Sequence, residues 1–208
     1  MAYSQDELAT MNSIIARYPR SRSAIMPLLH FVQSRAGYVT NEGIETIAKL
    51  LTLETAEVSA VATFYTQYKR KPVGEYHVGV CTNTLCAVMG GDAIYESIKE
   101  HLNIGNDEVT ADGKVSVEHI ECNAACDYAP VVMVNWEFYD NQTVQSVKDL
   151  VDGARTGNPP APTRGPKTLR TWKQNSAVLA GISDGLANEG VQAGDPTLLG
   201  LKISKGGN

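Results

Sequence analysis

The chain has no apolar run approaching the roughly 20 residues that cross a bilayer as a helix, and it has no surplus of positive charge. Eighteen Lys and Arg stand against 23 Asp and Glu, a formal net charge of −5. The first absence argues against direct membrane insertion. The second argues against nucleic acid, or an anionic lipid surface, as a partner held by bulk charge. The opening Met1-Ala-Tyr-Ser-Gln-Asp-Glu has neither a basic start nor an apolar stretch. It therefore does not read as a secretory leader, and its acidity is unlike a mitochondrial transit peptide. The expected location is the cytoplasm, with any membrane association supplied by partners.

Nucleotide fingerprints are missing too. No G-x-G-x-x-G occurs, and Gly90-Gly91 lacks the lysine of a phosphate-binding loop. These two glycines read instead as a place of close backbone approach between a loop and the helix that follows. Cysteine is scarce: there are four, in two close pairs, and none forms the C-x-x-C of a thiol oxidoreductase. In a reducing compartment, close pairs point to metal or redox chemistry more than to structural disulfides. A redox protein without a nucleotide site of its own needs a partner that has one.

What is present suffices for a folded protein. Hydrophobic residues make up 43% of the 208, enough for a core without staples. Ser4 and Glu7 match a capping box, and Leu8, Met11, Ile15 and Tyr18 then recur at helical spacing. A second helix is expected from Ser23 to about Arg35, with Pro27 in its first turn and Gly37 as its stop. Thr40 opens a third, with Ile44, Ile47, Ala48 and Leu51 on one face. A fourth runs from Glu54 to Tyr68, with Val58, Val61, Ala62 and Tyr65 on one stripe. Four short helices with short loops suggest a small bundle over residues 1–72.

At Lys71-Pro-Val-Gly the pattern changes. Tyr76, Val78 and Val80 alternate as in a strand. A helix carrying Ala93, Ile94, Ile98 and Leu102 follows. Strands are then expected at Val115–Cys122 and Val131–Trp136. Glu137 to Tyr139 either leads into a turn at Asp140-Asn141 or follows a turn at Asn135. Val144, Val147, Leu150 and Val151 mark a last helix. This order is that of a small α/β sandwich over residues 73–155. Gly157-Asn-Pro-Pro-Ala-Pro162 breaks all regular structure. Residues 156–208 then read as an extended Gly- and Pro-rich arm, with one helix near Ser176–Leu186.

The cysteines are Cys81-x4-Cys86 and, 35 residues later, Cys122-x3-Cys126. Each pair sits where a strand gives way to a loop, so one sheet edge can gather four thiolates. A [2Fe–2S] cluster takes four thiolates, two on each iron. The four-residue gap is wider than most structural zinc knuckles use. The spacing leaves three readings open: iron–sulfur, zinc, and unlinked or redox thiols. Thr82, Asn83, Thr84, Ala124 and Ala125 are short, which lets backbone N–H groups or the threonine hydroxyls approach sulfur. His119 lies near Cys122 and could stand in for a ligand.

Taken together, Val61-Ala-Thr-Phe-Tyr-Thr, Lys71-Pro-Val-Gly, Val80-Cys-Thr-Asn-Thr-Leu-Cys, Gly90-Gly91 and Glu121-Cys-Asn-Ala-Ala-Cys-Asp-Tyr-Ala-Pro resemble the thioredoxin-like [2Fe–2S] subunit of respiratory complex I. The likeness spans about residues 5–155. It implies an α+β protein: a helical bundle, then a thioredoxin-like [2Fe–2S] ferredoxin domain. It implies that Cys81, Cys86, Cys122 and Cys126 hold one [2Fe–2S] cluster. It also implies that the chain acts as an electron-transfer subunit of NADH:quinone oxidoreductase, next to a flavoprotein subunit that carries FMN and NADH and with other peripheral-arm subunits. The complex would keep it peripheral to the plasma membrane. Homologous subunits of NAD-linked hydrogenases or formate dehydrogenases share this chemistry, and a zinc-stabilised interaction module is the competing reading from another class. Two departures from the family stand out: relatives carry glycine where Ala124 stands, and Asp127 adds a negative charge beside Cys126.

Overall fold

The computed structural model describes residues 3–206. In chain order its regular elements are α1 (Gln5–Ile15), α2 (Ile25–Ala36), α3 (Asn41–Leu51), α4 (Thr55–Phe64), β1 (Tyr76–Cys81), α5 (Thr84–Val88), α6 (Gly91–Leu102), β2 (Glu108–Val109), β3 (Val115–Ile120), β4 (Val132–Val134), β5 (Glu137–Tyr139), α7 (Val144–Arg155), α8 (Trp172–Leu179) and α9 (Asp195–Ser204). Short 3-10 turns occupy Ser21–Ala24 and Cys126–Tyr128. Two compact units emerge. One is residues 1–73 with 170–184; the other is residues 74–169 with 185–208. Residues 1, 2, 207 and 208, which the expected boundaries include, lie outside the described residues.

The first unit is the bundle. Ser4 Oγ accepts from the Glu7 amide and Glu7 accepts from the Ser4 amide, so α1 starts with both halves of the capping box. Gly37 ends α2 in the left-handed conformation at φ +87°, and the Thr40 side chain caps α3. Met11, Ile14, Leu28, Leu29, Val32, Ile47 and Val58 have no exposed surface. Each such burial contributes roughly 1.5–3 kcal/mol.

The fourth helix stops at Phe64, four residues short of the expected end. Tyr65 takes an extended conformation at its C-cap and is exposed rather than on the buried stripe. The chain turns there because Tyr68 anchors it: this buried ring donates its hydroxyl to the Met26 carbonyl at 3.0 Å.

The tail is not an arm throughout. Residues 170–184 complete the bundle, and the helix begins at Trp172 instead of Ser176. Thr171 and Gln174 form a capping box that fixes this start. Trp172 is 2% exposed, and its indole N–H donates to the Gly37 carbonyl at 2.7 Å. Arg170 and Asp184 close the segment with a paired contact. The expected arm fails here because an indole and a two-point ion pair bury enough to order the chain.

The second unit is a five-stranded sheet in the order β2-β3-β1-β4-β5. β1 and β3 run parallel, and the other neighbours are antiparallel. One face carries Tyr76, Val78, Val80, Val115, Val117, Val132 and Val134, packed with Ile94, Ile98, Leu150 and Val151 of α6 and α7. Asn135 and Trp136 both have positive φ, so β4 and β5 form a hairpin with a two-residue turn. Of the two turn placements expected, the one at Asn135 is observed. The two-residue β2 and the helix α9 were not anticipated from the sequence.

Two outcomes test these packing assignments. Trp172→Ala should destabilise the bundle by about 3–5 kcal/mol, read from a denaturant transition; a loss under about 1 kcal/mol would return this segment to a loose tail. His30 is 5% exposed and its Nδ1 has no partner among the described residues. Burial lowers its pKa from 6.5 to about 4. The unfolded chain therefore takes up a proton at higher pH than the folded one. Stability should fall by up to about 3 kcal/mol as pH drops from about 6.5 to about 4. His30→Phe should remove that part of the acid dependence.

Candidate metal centre

Both cysteine pairs leave the sheet at one edge. β1 and β3 are parallel neighbours, and Cys81 pairs in register with Ile120. Their carboxyl ends therefore lie side by side, with Cys122 two residues past the end of β3. Cys81 is the last residue of β1, and its amide donates to the Val131 carbonyl at 3.2 Å. Cys86 sits on α5. Both are buried and pack with Ala125, Tyr128, Ala129 and Val131. Cys122 and Cys126 are exposed; Cys126 opens the 3-10 turn.

The first loop depends on Gly91. A Cβ there would lie 2.5 Å from the Cys81 carbonyl oxygen and 2.8 Å from that of Cys86. Only glycine lets α6 start this close behind the loop, as expected for Gly90-Gly91. Asn83 ties the two loops: its side-chain amide donates to the Ile120 carbonyl at 3.3 Å and lies 4.0 Å from Cys81 Sγ. In the second loop Ala124 has φ +55°. This left-handed turn aims its N–H at Cys122 Sγ, 3.4 Å away. Among the described contacts, sulfur is met by Asn83, the Ala124 amide and the Val131 backbone rather than by the Thr82 or Thr84 hydroxyls.

The sulfurs of Cys122 and Cys126 are 3.7 Å apart. Two thiolates on one tetrahedral metal, each about 2.3 Å from it, stand about 3.8 Å apart. Among the described residues, no three His, Cys, Asp or Glu side chains converge as the ligands of a single ion do. A two-iron cluster asks for something else, two thiolates on each iron.

Electrostatics joins the two pairs. Burial first, and then the neighbouring Cys81, push the Cys86 thiol up to about 11, against a hydrogen bond from Val131 that lowers it. Cys126 is raised first by its contact with Cys122, and also by the charges of Cys81 and Asp127. Cys81 thus acts on a member of each pair. Thiolates crowded in this way repel one another, and a cationic centre relieves the repulsion. The donor set fits an iron–sulfur cluster: four thiols, small neighbours, and amide N–H groups directed at sulfur.

His119 is no part of this site. It stands beside Val80 in register, one residue out of phase with Cys81, and packs edge-on against Tyr95. In the sequence Tyr128 stands only as part of the stretch that follows Cys126. It is buried beside the thiols, with the Arg164 guanidinium 4.9 Å from its ring centre. No spacing rule links residues 128 and 164.

The family model described as thioredoxin-like [2Fe–2S] ferredoxin matches residues 11–155. The chain belongs to this family. Within it, the chain is 56% identical over 209 aligned residues to an NADH-quinone oxidoreductase subunit of Mycobacterium bovis, covering 98% of this chain and 82% of that one. A Thermus thermophilus subunit of the same oxidoreductase is 39% identical, over 76% of this chain and 88% of its own length. The chain is thus related to subunits of an oxidoreductase complex over nearly its full length. A crystal structure of an NAD+-reducing [NiFe]-hydrogenase superposes with a TM-score of 0.57 at 19% identity, over 65% of this chain and 23% of that one. It supports the fold.

The backbone at Ala124 is strained. Ala124 keeps the left-handed turn that glycine adopts freely, at a cost of about 1–2 kcal/mol. Ala124→Gly should raise the stability of the metal-free chain by about 0.5–1 kcal/mol once the extra freedom of the unfolded glycine is counted. Denaturant midpoints measure this; a destabilised variant would show that Ala124 is not strained.

Proposed function

We propose that the chain is the one-electron relay of an NADH-quinone oxidoreductase, with Cys81, Cys86, Cys122 and Cys126 holding a [2Fe–2S] cluster. The observation that carries this reading is the convergence of two thiol pairs at the ends of adjacent parallel strands. The bound cluster supplies a one-electron couple. The chain's own residues hold and tune it. Asn83 and the Ala124 amide offer hydrogen bonds to sulfur, and Asp127 places a negative charge nearby, which disfavours added negative charge.

The electron partner in this reading is a flavoprotein subunit carrying FMN and NADH, accompanied by other peripheral-arm subunits. Two features support a docked partner. No nucleotide fingerprint occurs in the chain. On α5, around buried Cys86, Leu85, Val88 and Met89 are exposed, with Val88 at 81%. Clustered exposed apolar side chains of this kind mark contact surfaces. Such a partner would also supply the membrane association, since no helix among the described residues is long and apolar enough to cross a bilayer. The diaphorase module of an NAD-linked hydrogenase or formate dehydrogenase would use the same site with another terminal partner. The names of the relatives matched over most of their length favour the quinone-linked complex.

Cys122→Ala should abolish the visible absorption of the iron-loaded chain while leaving helix content within error of the parent. Full retention of that absorption would remove Cys122 from the ligand set.

A further inference from the structure

We infer that the segment from residue 185 onward is a clamp on the second cysteine loop, with Thr197 as the positioning residue that holds Asp127 and Tyr128. The inference deepens the cluster reading and rests on it for one arm of its test.

The clamp is built from several contacts. The Thr197 hydroxyl donates to Asp127 Oδ2 at 2.8 Å. The Tyr128 hydroxyl lies 3.3 Å from the same Thr197 oxygen, so it can donate to the atom whose own proton goes to Asp127. Gly194 backs directly onto that tyrosine: a Cβ at 194 would stand 2.5 Å from Tyr128 Oη. The Arg164 guanidinium also covers the Tyr128 ring, 4.9 Å from its centre, and pairs with Asp140 at 2.8 Å. The strap reaching Gly194 is tied down upstream, where the Gly165 amide donates to the Val191 carbonyl at 2.9 Å and the Lys167 amide to Glu189 at 3.2 Å. Tyr128 is therefore held at its hydroxyl and over its ring, and Asp127 and Tyr128 directly follow Cys126.

The helix at the end of this segment adds nothing to the buried core. α9 buries none of its residues, and Leu198, Leu199, Leu201 and Ile203 are exposed. Its described contacts with the rest of its unit run to the cysteine loop and to residues 165–167. The relatives divide accordingly. The family model ends at residue 155. The NADH-quinone oxidoreductase subunit of Rickettsia bellii is matched over 94% of its own length by 74% of this chain, so about a quarter of this chain has no aligned counterpart there. The Mycobacterium bovis relative matches 98% of this chain.

The physical role follows from exposure. Cys122 and Cys126 face solvent, while Cys81 and Cys86 are buried. Opening of the second loop is the short route by which water or a chelator reaches the iron, and local opening is governed by the contacts that close it. The test uses the full chain as parent, Thr197→Val, Thr197→Ser and Gly194→Ala. Hydrogen exchange of amides 122–128 is measured in the metal-free chain, and iron release to a chelator in the reconstituted chain. Thr197→Val should speed both by roughly fivefold, the size of one lost hydrogen bond. Thr197→Ser should restore both, and Gly194→Ala should behave like the valine variant. Parent-like exchange and release in Thr197→Val would overturn the clamp, as would a serine variant as fast as valine. A parent chain that never takes up iron would instead sink the cluster reading, and exchange in the metal-free chain would still decide the clamp.

Discussion

The parallel pairing of Tyr76–Cys81 with Val115–Ile120 is the constraint on which the site depends. An antiparallel pair would send the two cysteine loops to opposite ends of the sheet. Parallel neighbours put both carboxyl ends at one edge, where loops from distant parts of the sequence can meet. A parallel connection needs a crossover, and α6 supplies it. Its helix start then has to fit behind the Cys81–Cys86 loop, which is why Gly91 stands where a side chain would collide with two carbonyls. The valine-rich face of the sheet under α6 and α7 keeps both strands in register. A one-residue slip would turn that face outward and move Cys81 away from its partners.

The thiols themselves oppose this gathering. Cys86 is raised by burial and by Cys81, and Cys126 by its neighbouring thiol and charges. The fold brings together groups that resist ionising side by side, and a cationic centre bound there would compensate. Burial is unequal between the pairs. The first is sealed by α5, α6 and the strand that follows the second loop. The second lies open and is steadied by the Ala124 turn and by Asp127 and Tyr128. The same asymmetry leaves an exposed apolar surface over α5, which the proposed partner would use, and leaves Cys122 open to solvent.

Much of this was legible in the sequence. Period-2 valines marked β1 and β3, capping residues marked α1 and α3, and the position of each cysteine pair after a strand forecast their convergence. The resemblance carried by the motifs around those cysteines agrees with the family to which the chain belongs. What stayed hidden was long-range or chemically quiet. Thr197 and Asp127 are 70 residues apart, with no periodicity to connect them. Trp172 falls in the stretch read as an extended arm, because its partner is the carbonyl of Gly37, 135 residues away. The Thr171–Gln174 capping box was a readable signal, obscured by the prolines before it. Tyr65 broke its stripe because the chain leaves the helix one residue earlier, to seat Tyr68.

The most direct measurement is a low-temperature EPR spectrum of the anaerobically purified, iron-loaded chain before and after dithionite. The account predicts a red-brown protein, silent when oxidised. On reduction it should give a rhombic S = ½ signal of about one unpaired electron per chain. A colourless protein holding zinc, with no signal even after reconstitution with iron and sulfide, would contradict it.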